Sequence, residues 1–314
     1  MAAAGGLGAS LKASARSLGE RQIPLAGLTA AFIFALQMIN FPVAAGTSGH
    51  LLGGALAAIL LGPSVGITVV SVVVIVQALL FADGGISAVG LNVFNMAILT
   101  AAVGWLVFRG ALALLPRRSP SVLVAVMMAS WASVVASSLG FVVEYAIGGQ
   151  GGVDIGTVFG AMVGVHAVIG VGEGLITATV IGAVMAVRPD LVSGVSSYGF
   201  VSGAAAPARK TVSGFVAAGM IAALVLVIFV APIASSDPDG LERVAVDQGF
   251  NSTAEDSAIG DSPLADYGVA GVEDDRTGTV VAGVIGTVLV FAVGTGLFLA
   301  VRRKRAEPTA GAGP

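Results

Sequence analysis

The stretch "PVAAGTSGHLL", Pro42 to Leu52, holds one of only two histidines in 314 residues. Imidazole nitrogen suits borderline metals such as nickel, copper, zinc and cobalt. His50 by itself is not a metal site, and a histidine at a helix start, bonded to backbone, fits the same residues. Thr47 and Ser48 place two hydroxyls beside it. The flanking glycines permit unusual backbone angles and close approach by another segment. That suits a loop folded over a small ligand, and it also suits an ordinary tight turn.

A second set of polar groups lies deep in apolar sequence. His166 and Glu173 share "GVHAVIGVGEGLIT", and a spacing of seven puts them on one helical face. Ionisable groups within a span are costly and face a bundle interior. A proton relay or cation path is one role for them, and a packing hydrogen bond is the other. In "LNVFNMA", Asn92 and Asn95 stand three apart, with Gln77 and Asp83 in the preceding hairpin. These amides are either packing glue or, with His50, the lining of an outward-facing polar pocket. Met38 and Met96 are read as packing.

Other chemistries are missing. There is no cysteine, so thiolate ligands, thiol nucleophiles and disulfides are excluded. No phosphate-loop spacing, dinucleotide fingerprint, H-E-x-x-H or G-x-S-x-G occurs. The chain is expected to be no enzyme, to hold no cofactor and to have no nucleic-acid partner. Any uphill movement must draw energy from a partner or an ion gradient.

The elements that must position these residues are membrane helices. The chain is 56% hydrophobic and 11% charged, with a mean hydropathy of +0.98. Soluble domains carry about 25% charged residues. The expected fold class is all-α, a polytopic membrane helix bundle of about eight spans. They are placed near 24–43, 46–62, 65–82, 86–108, 121–145, 157–187, 212–233 and 278–301. The forty-five glycines suit close helix packing in lipid. With all eight crossing, Lys12, Arg16, Arg21, Arg109, Arg117, Arg118, Arg188, Arg209, Lys210 and Arg302–Arg305 share one side, 13 of the 15 cations. The positive-inside rule makes that side the cytoplasm and puts both termini there, in a multi-pass protein of the cytoplasmic membrane. These cations share a side only if the short second segment crosses.

One long loop, 234–277, falls outside, with 11 Asp and Glu against two Arg. Its acidity and scarcity of aromatics predict a solvated, flexible segment. The expected organisation is a cytoplasmic lead-in, 1–23, then a six-span membrane domain, 24–190. A cytoplasmic linker, 191–211, leads to a two-span domain, 212–305, and a disordered tail, 306–314.

"MINFPVAAGTSGHLLGGALAAILLGP", "VQALLFADGGISAVGLNVFNMA" and "GVHAVIGVGEGLIT" resemble the cobalt/nickel substrate-capture component (CbiM/NikM type) of energy-coupling factor transporters. The resemblance covers roughly residues 20–187. The last helix pair, with "SSDPDGLE" opening its loop, is similar to the small two-span companion subunit of that system, here fused. The resemblance implies that the substrate is Co²⁺ or Ni²⁺, bound from outside. It also implies partners on other chains, namely a transmembrane coupling protein and two cytosolic ATPases. In the family the histidine of "GTSGH" is a metal ligand, which here is His50. Thr47, Ser48, Asn92, Asn95, His166 and Glu173 become candidates for the pocket or its surroundings. Against this stand two other roles, an ion-gradient-driven cation transporter or channel using His166 and Glu173, and a non-transporting assembly subunit.

The sequence departs from the pattern at its start. The family begins outside the membrane with Met-His, which supplies the remaining ligands, and Ala2 stands here instead, so that the resemblance implies residues 1–23 are a truncated first helix. Three explanations are open: a Met-His start upstream of the sequence written here, weaker binding through His50 with new ligands, or loss of transport.

Overall fold

The computed structural model describes residues 1–17, 19–44, 46–150, 152–196, 209–254 and 257–306. Most of the linker (197–208) and the tail (307–314) lie outside the described residues. The bundle begins with α1 (Ala2–Ser17) and α2 (Ile23–Gln37). A two-stranded antiparallel hairpin follows, β1 (Phe41–Ala44) and β2 (Thr47–Gly49), with Phe41 opposite Gly49. Then come α3 (Gly54–Leu61), α4 (Pro63–Leu80), α5 (Val89–Leu114), α6 (Ser119–Gly148) and α7 (Ile155–Val187). After the linker, α8 (Val212–Ile233), α9 (Gly240–Gln248) and α10 (Asp275–Ala306) complete the chain.

Among the described residues six helices are long and apolar enough to cross a membrane: α4, α5, α6, α7, α8 and α10. The shorter α2 is also apolar and is buried nearly throughout. The protein is thus a multi-pass helical membrane protein. The segment expected as a lead-in is itself helical, and α1 buries Ser10 and Ser14 against the bundle.

The expected helical span at 46–62 is corrected. That segment is the strand β2, an irregular stretch through His50 to Gly53, and the eight-residue α3. Eight helical residues reach only about 12 Å, against a hydrocarbon core of about 30 Å. Two glycines with positive φ bound the short helix, Gly53 at +81° and Gly62 at +88°. A residue with a Cβ pays a steric penalty at either place. The segment still runs through the bundle. Ser48 meets the loop that follows α8, whereas Ile59 lies beside Gly194, just past the far end of α7. Non-helical backbone at this depth is tolerated only where protein surrounds it. Accordingly Leu51, Gly53 and every α3 residue except Leu60 are buried.

The last helix pair packs on α2. Helix α10 runs antiparallel to it, with Gly286 against Phe34, Gly294 against Ala30 and Thr295 against Gly27. Arg302 reaches Glu20 at 2.6 Å at the end away from the hairpin. Helix α8 flanks α2 through Gly219 and Leu28.

The long acidic loop is the second correction, because its described residues, 234–254 and 257–277, are folded and docked. Helix α9 buries Val244 and Ala245 beside Val158 and Met162 of α7. Phe250 packs on Tyr145 and Phe141, with ring centroids 5.5 and 6.4 Å away. Tyr267 stacks on Phe81 at 4.9 Å and donates to Asp83 Oδ2 at 2.5 Å. Burial, with Asp83 beside it, pushes the Tyr267 phenol well above its ordinary range and keeps it a donor. The few apolar side chains in the loop, not its many charges, fix where it sits.

Candidate metal site

His50 lies between β2 and α3, at the foot of the hairpin. Its Nδ1 is 3.2 Å from Leu51 O. A carbonyl only accepts, so this bond places a proton on Nδ1, and the neutral ring then presents its lone pair at Nε2. The side chain is 25% exposed, open enough to meet an ion from water.

What roofs the hairpin is the "PDGLE" segment, Pro238 to Glu242. Ser48 N donates to Pro238 O at 2.9 Å, and Ser48 Oγ donates to Asp237 O at 2.7 Å. Ser235 N donates to Asn40 O at 2.8 Å. Asp239 caps α9 by accepting from Glu242 N through Oδ1 at 2.8 Å, and its Oδ2 lies 3.9 Å from His50 Nε2. Two motif glycines make this closure possible. A Cβ on Gly49 would come within 2.8 Å of the Ile169 side chain, and one on Gly240 within 2.6 Å of it. Ile169 of α7 is thus clamped between the hairpin and the fused loop.

Glu173 is fully buried on α7. Its carboxylate accepts from Leu52 N at 2.7 Å and from Gly53 N at 3.2 Å, while Gln37 Nε2 donates to Leu52 O at 3.0 Å. These side chains replace the helical hydrogen bonds that the irregular crossing lacks. Of the two roles open for this carboxylate, the contacts describe a packing bond, made to the backbone beside His50. His166 stands closer to the roof. Its Nδ1 donates to Met162 O at 2.8 Å, and its ring faces Gly240.

The remaining candidates are placed as follows. Ser48 is fully buried and holds the roof, and Thr47 is buried beside it in the strand. Asn92 Nδ2 donates to Gly84 O at 3.2 Å, bracing a turn. Asn95 Nδ2 donates to Glu144 Oε2 at 2.7 Å, within a π-helical stretch of α5 (Val93–Leu99). The structure brings His50, Ser48, His166 and Glu173 together around the hairpin, whereas Asn92 and Asn95 are engaged elsewhere. A cleft of about 260 Å³ opens between the hairpin, α7 and α9, and its charged lining groups, Arg243 and Asp247, pair with each other. Among the described residues no three His, Asp or Glu side chains converge as a ready-made metal cage. Asp239 is the group near His50 that sequence reading missed. A carboxylate in a loop read as solvated carried no cue, although the "PDGLE" motif itself was visible.

Residues 1–191 match the family described as "Cobalt uptake substrate-specific transmembrane region", and residues 213–303 match the PDGLE domain. The chain is 38% identical over 283 residues to the candidate fused nickel transport protein NikMN of Archaeoglobus fulgidus, covering 90% of this chain and 88% of that one. It is 41% identical over 186 residues to a candidate metal transport protein of Haloquadratum walsbyi, covering 59% and 83%. A solved structure described as a transition metal transporter superposes with a TM-score of 0.52 at 26% identity, covering 65% of this chain and 92% of that one. The hairpin with His50, its buried supports and the PDGLE roof thus lie within matched regions, and the chain belongs to the CbiM family of cobalt and nickel transport proteins, with a PDGLE domain following the family's membrane region.

Proposed function

We propose that the chain is the substrate-capture membrane component of an energy-coupling factor importer for Ni²⁺ or Co²⁺. The observation that carries this is His50. Its Nε2 makes no hydrogen bond, it sits at the foot of a hairpin that buried groups hold in place, and a fused companion domain roofs it. Imidazole nitrogen suits both ions. The hairpin and its roof form the extracytoplasmic face. Arg21, Arg117, Arg118, Arg188 and Arg302 lie at or beside helix ends away from the hairpin, and Arg109 lies in the half of α5 toward them, which fits the positive-inside rule.

The chain carries no nucleotide-binding motif. A transmembrane coupling protein and two cytosolic ATPases on other chains supply the energy. ATP-driven release to the cytoplasm requires the His50 site to open toward the opposite face.

Proteoliposomes test this. The chain co-reconstituted with its coupling protein and ATPases should accumulate Ni²⁺ or Co²⁺ only with ATP. His50→Ala should abolish the accumulation. Deleting residues 243–272 should reduce it while leaving assembly with the coupling protein intact. Metal flux through the chain alone, down a gradient, would contradict the proposal and favour a channel built on His166 and Glu173.

A further inference from the structure

We propose that an anionic phospholipid occupies the cleft between α2 and the fused helix pair, at the membrane face opposite the hairpin. Its acyl chain lies between α8 and α10, and its phosphate meets the cations at their ends.

Helices α8 and α10 touch in the halves nearer the hairpin, where Gly283 packs on Val227. Farther along, both still pack on α2, through Gly219 on Leu28 and Gly294 on Ala30. Here, however, a cleft of about 780 Å³ opens between them. Its walls are Pro24 of α2, Val216, Ala217 and Met220 of α8, and Val288 and Phe291 of α10. The cleft runs along helices long and apolar enough to cross the membrane, and it is open at its side, where Val288 is 52% exposed. Its volume is in the range of pockets that hold organic ligands. Apolar walls left without neighbours forfeit dispersion contacts, and within a bilayer the acyl chain is the material that supplies them.

The mouth of the cleft selects the head group. Among the described residues, the one charged group lining the cleft is Glu20, and Arg302 holds it at 2.6 Å. Arg209 and Lys210 open the helical run Arg209–Val225 that continues as α8. Helix α10 ends through Arg302, Arg303, Lys304 and Arg305. Six of the chain's 15 Lys and Arg thus stand on the two helix ends that border one cleft. Basic pockets between membrane helices hold anionic head groups in this way. A phospholipid presents both parts at once, an apolar chain at membrane depth and a phosphate at the surface. Seated there, it fills the space between the companion helices and fastens them to α2.

The test measures lipid retention by the purified full chain in native mass spectrometry, with phosphatidylglycerol and phosphatidylcholine of identical acyl chains. Wild type should retain phosphatidylglycerol in preference by at least about 10-fold. Arg303→Gln, Lys304→Gln and Arg305→Gln, combined, should remove that preference. Ala217→Trp fills the cleft from an exposed position on α8, and Val288→Phe fills it from the facing wall. Whichever of these keeps the wild-type thermal midpoint should lose both lipids. Equal retention of the two lipids by wild type would overturn the proposal. Undiminished phosphatidylglycerol in both filled variants would place the lipid elsewhere and overturn it too. So would loss of the coupling protein from those variants with lipid retention intact, which would make the cleft the seat of a protein.

Discussion

Glu173 shows what a single buried carboxylate contributes here. It accepts from two backbone amides that no helix or sheet satisfies, at a depth where water is excluded. An orphaned buried N–H costs about 1–3 kcal/mol. Glu173→Ala should therefore lower the thermal unfolding midpoint in detergent and weaken metal binding at the neighbouring His50. Glu173→Gln retains one accepting oxygen and should recover part of both losses. An unchanged midpoint in Glu173→Ala would show that the carboxylate does not support the crossing. At this scale the sequence was partly legible. Two histidines and Glu173 stood out because so little else in the chain is polar. Their partners were not legible, since Leu52 and Gly53 bond through backbone, and a backbone group has no signature in sequence.

At the level of elements, hydropathy reads long helices well and broken ones badly. The periods of α4 to α7, α8 and α10 are visible because each is a long apolar run. Residues 46–62 carry the same composition, and hydropathy does not distinguish a helix from a protected strand and turn. The cues to the break are Gly53, Gly62 and Pro63, whose backbone demands oppose a continuous helix. The outer loop was misread for a related reason. Its net charge describes the solvent-facing side, while Phe250 and Tyr267 decide the docking. Aromatic pairs contribute about 0.5–1.5 kcal/mol beyond burial, and Tyr267 adds a hydrogen bond to Asp83. Tyr267→Ala should therefore raise amide hydrogen exchange across residues 257–272 while leaving α9 protected, because α9 is anchored separately on α7. Equal exchange in variant and wild type would mean that Tyr267 is not the anchor.

The whole molecule is a membrane domain and a two-helix companion on one chain, joined at both faces. On one face Glu20 and Arg302 pair. On the other, PDGLE lies across the hairpin. Between them α10 follows α2 through small-residue contacts, a common way for helices to associate in lipid. The two-part organisation was legible from the break in hydropathy and from the motif. That the companion reaches the hairpin beside His50 was not, because it depends on contacts between positions nearly 190 apart in sequence, such as Ser48 and Asp237. The central claim is that this assembled face captures Ni²⁺ or Co²⁺ on His50. Nickel K-edge X-ray absorption of the loaded full chain, compared with His50→Ala, tests it most directly. The account predicts imidazole scattering with a nitrogen at about 2.0–2.1 Å, lost in the variant. An identical spectrum from His50→Ala would contradict it.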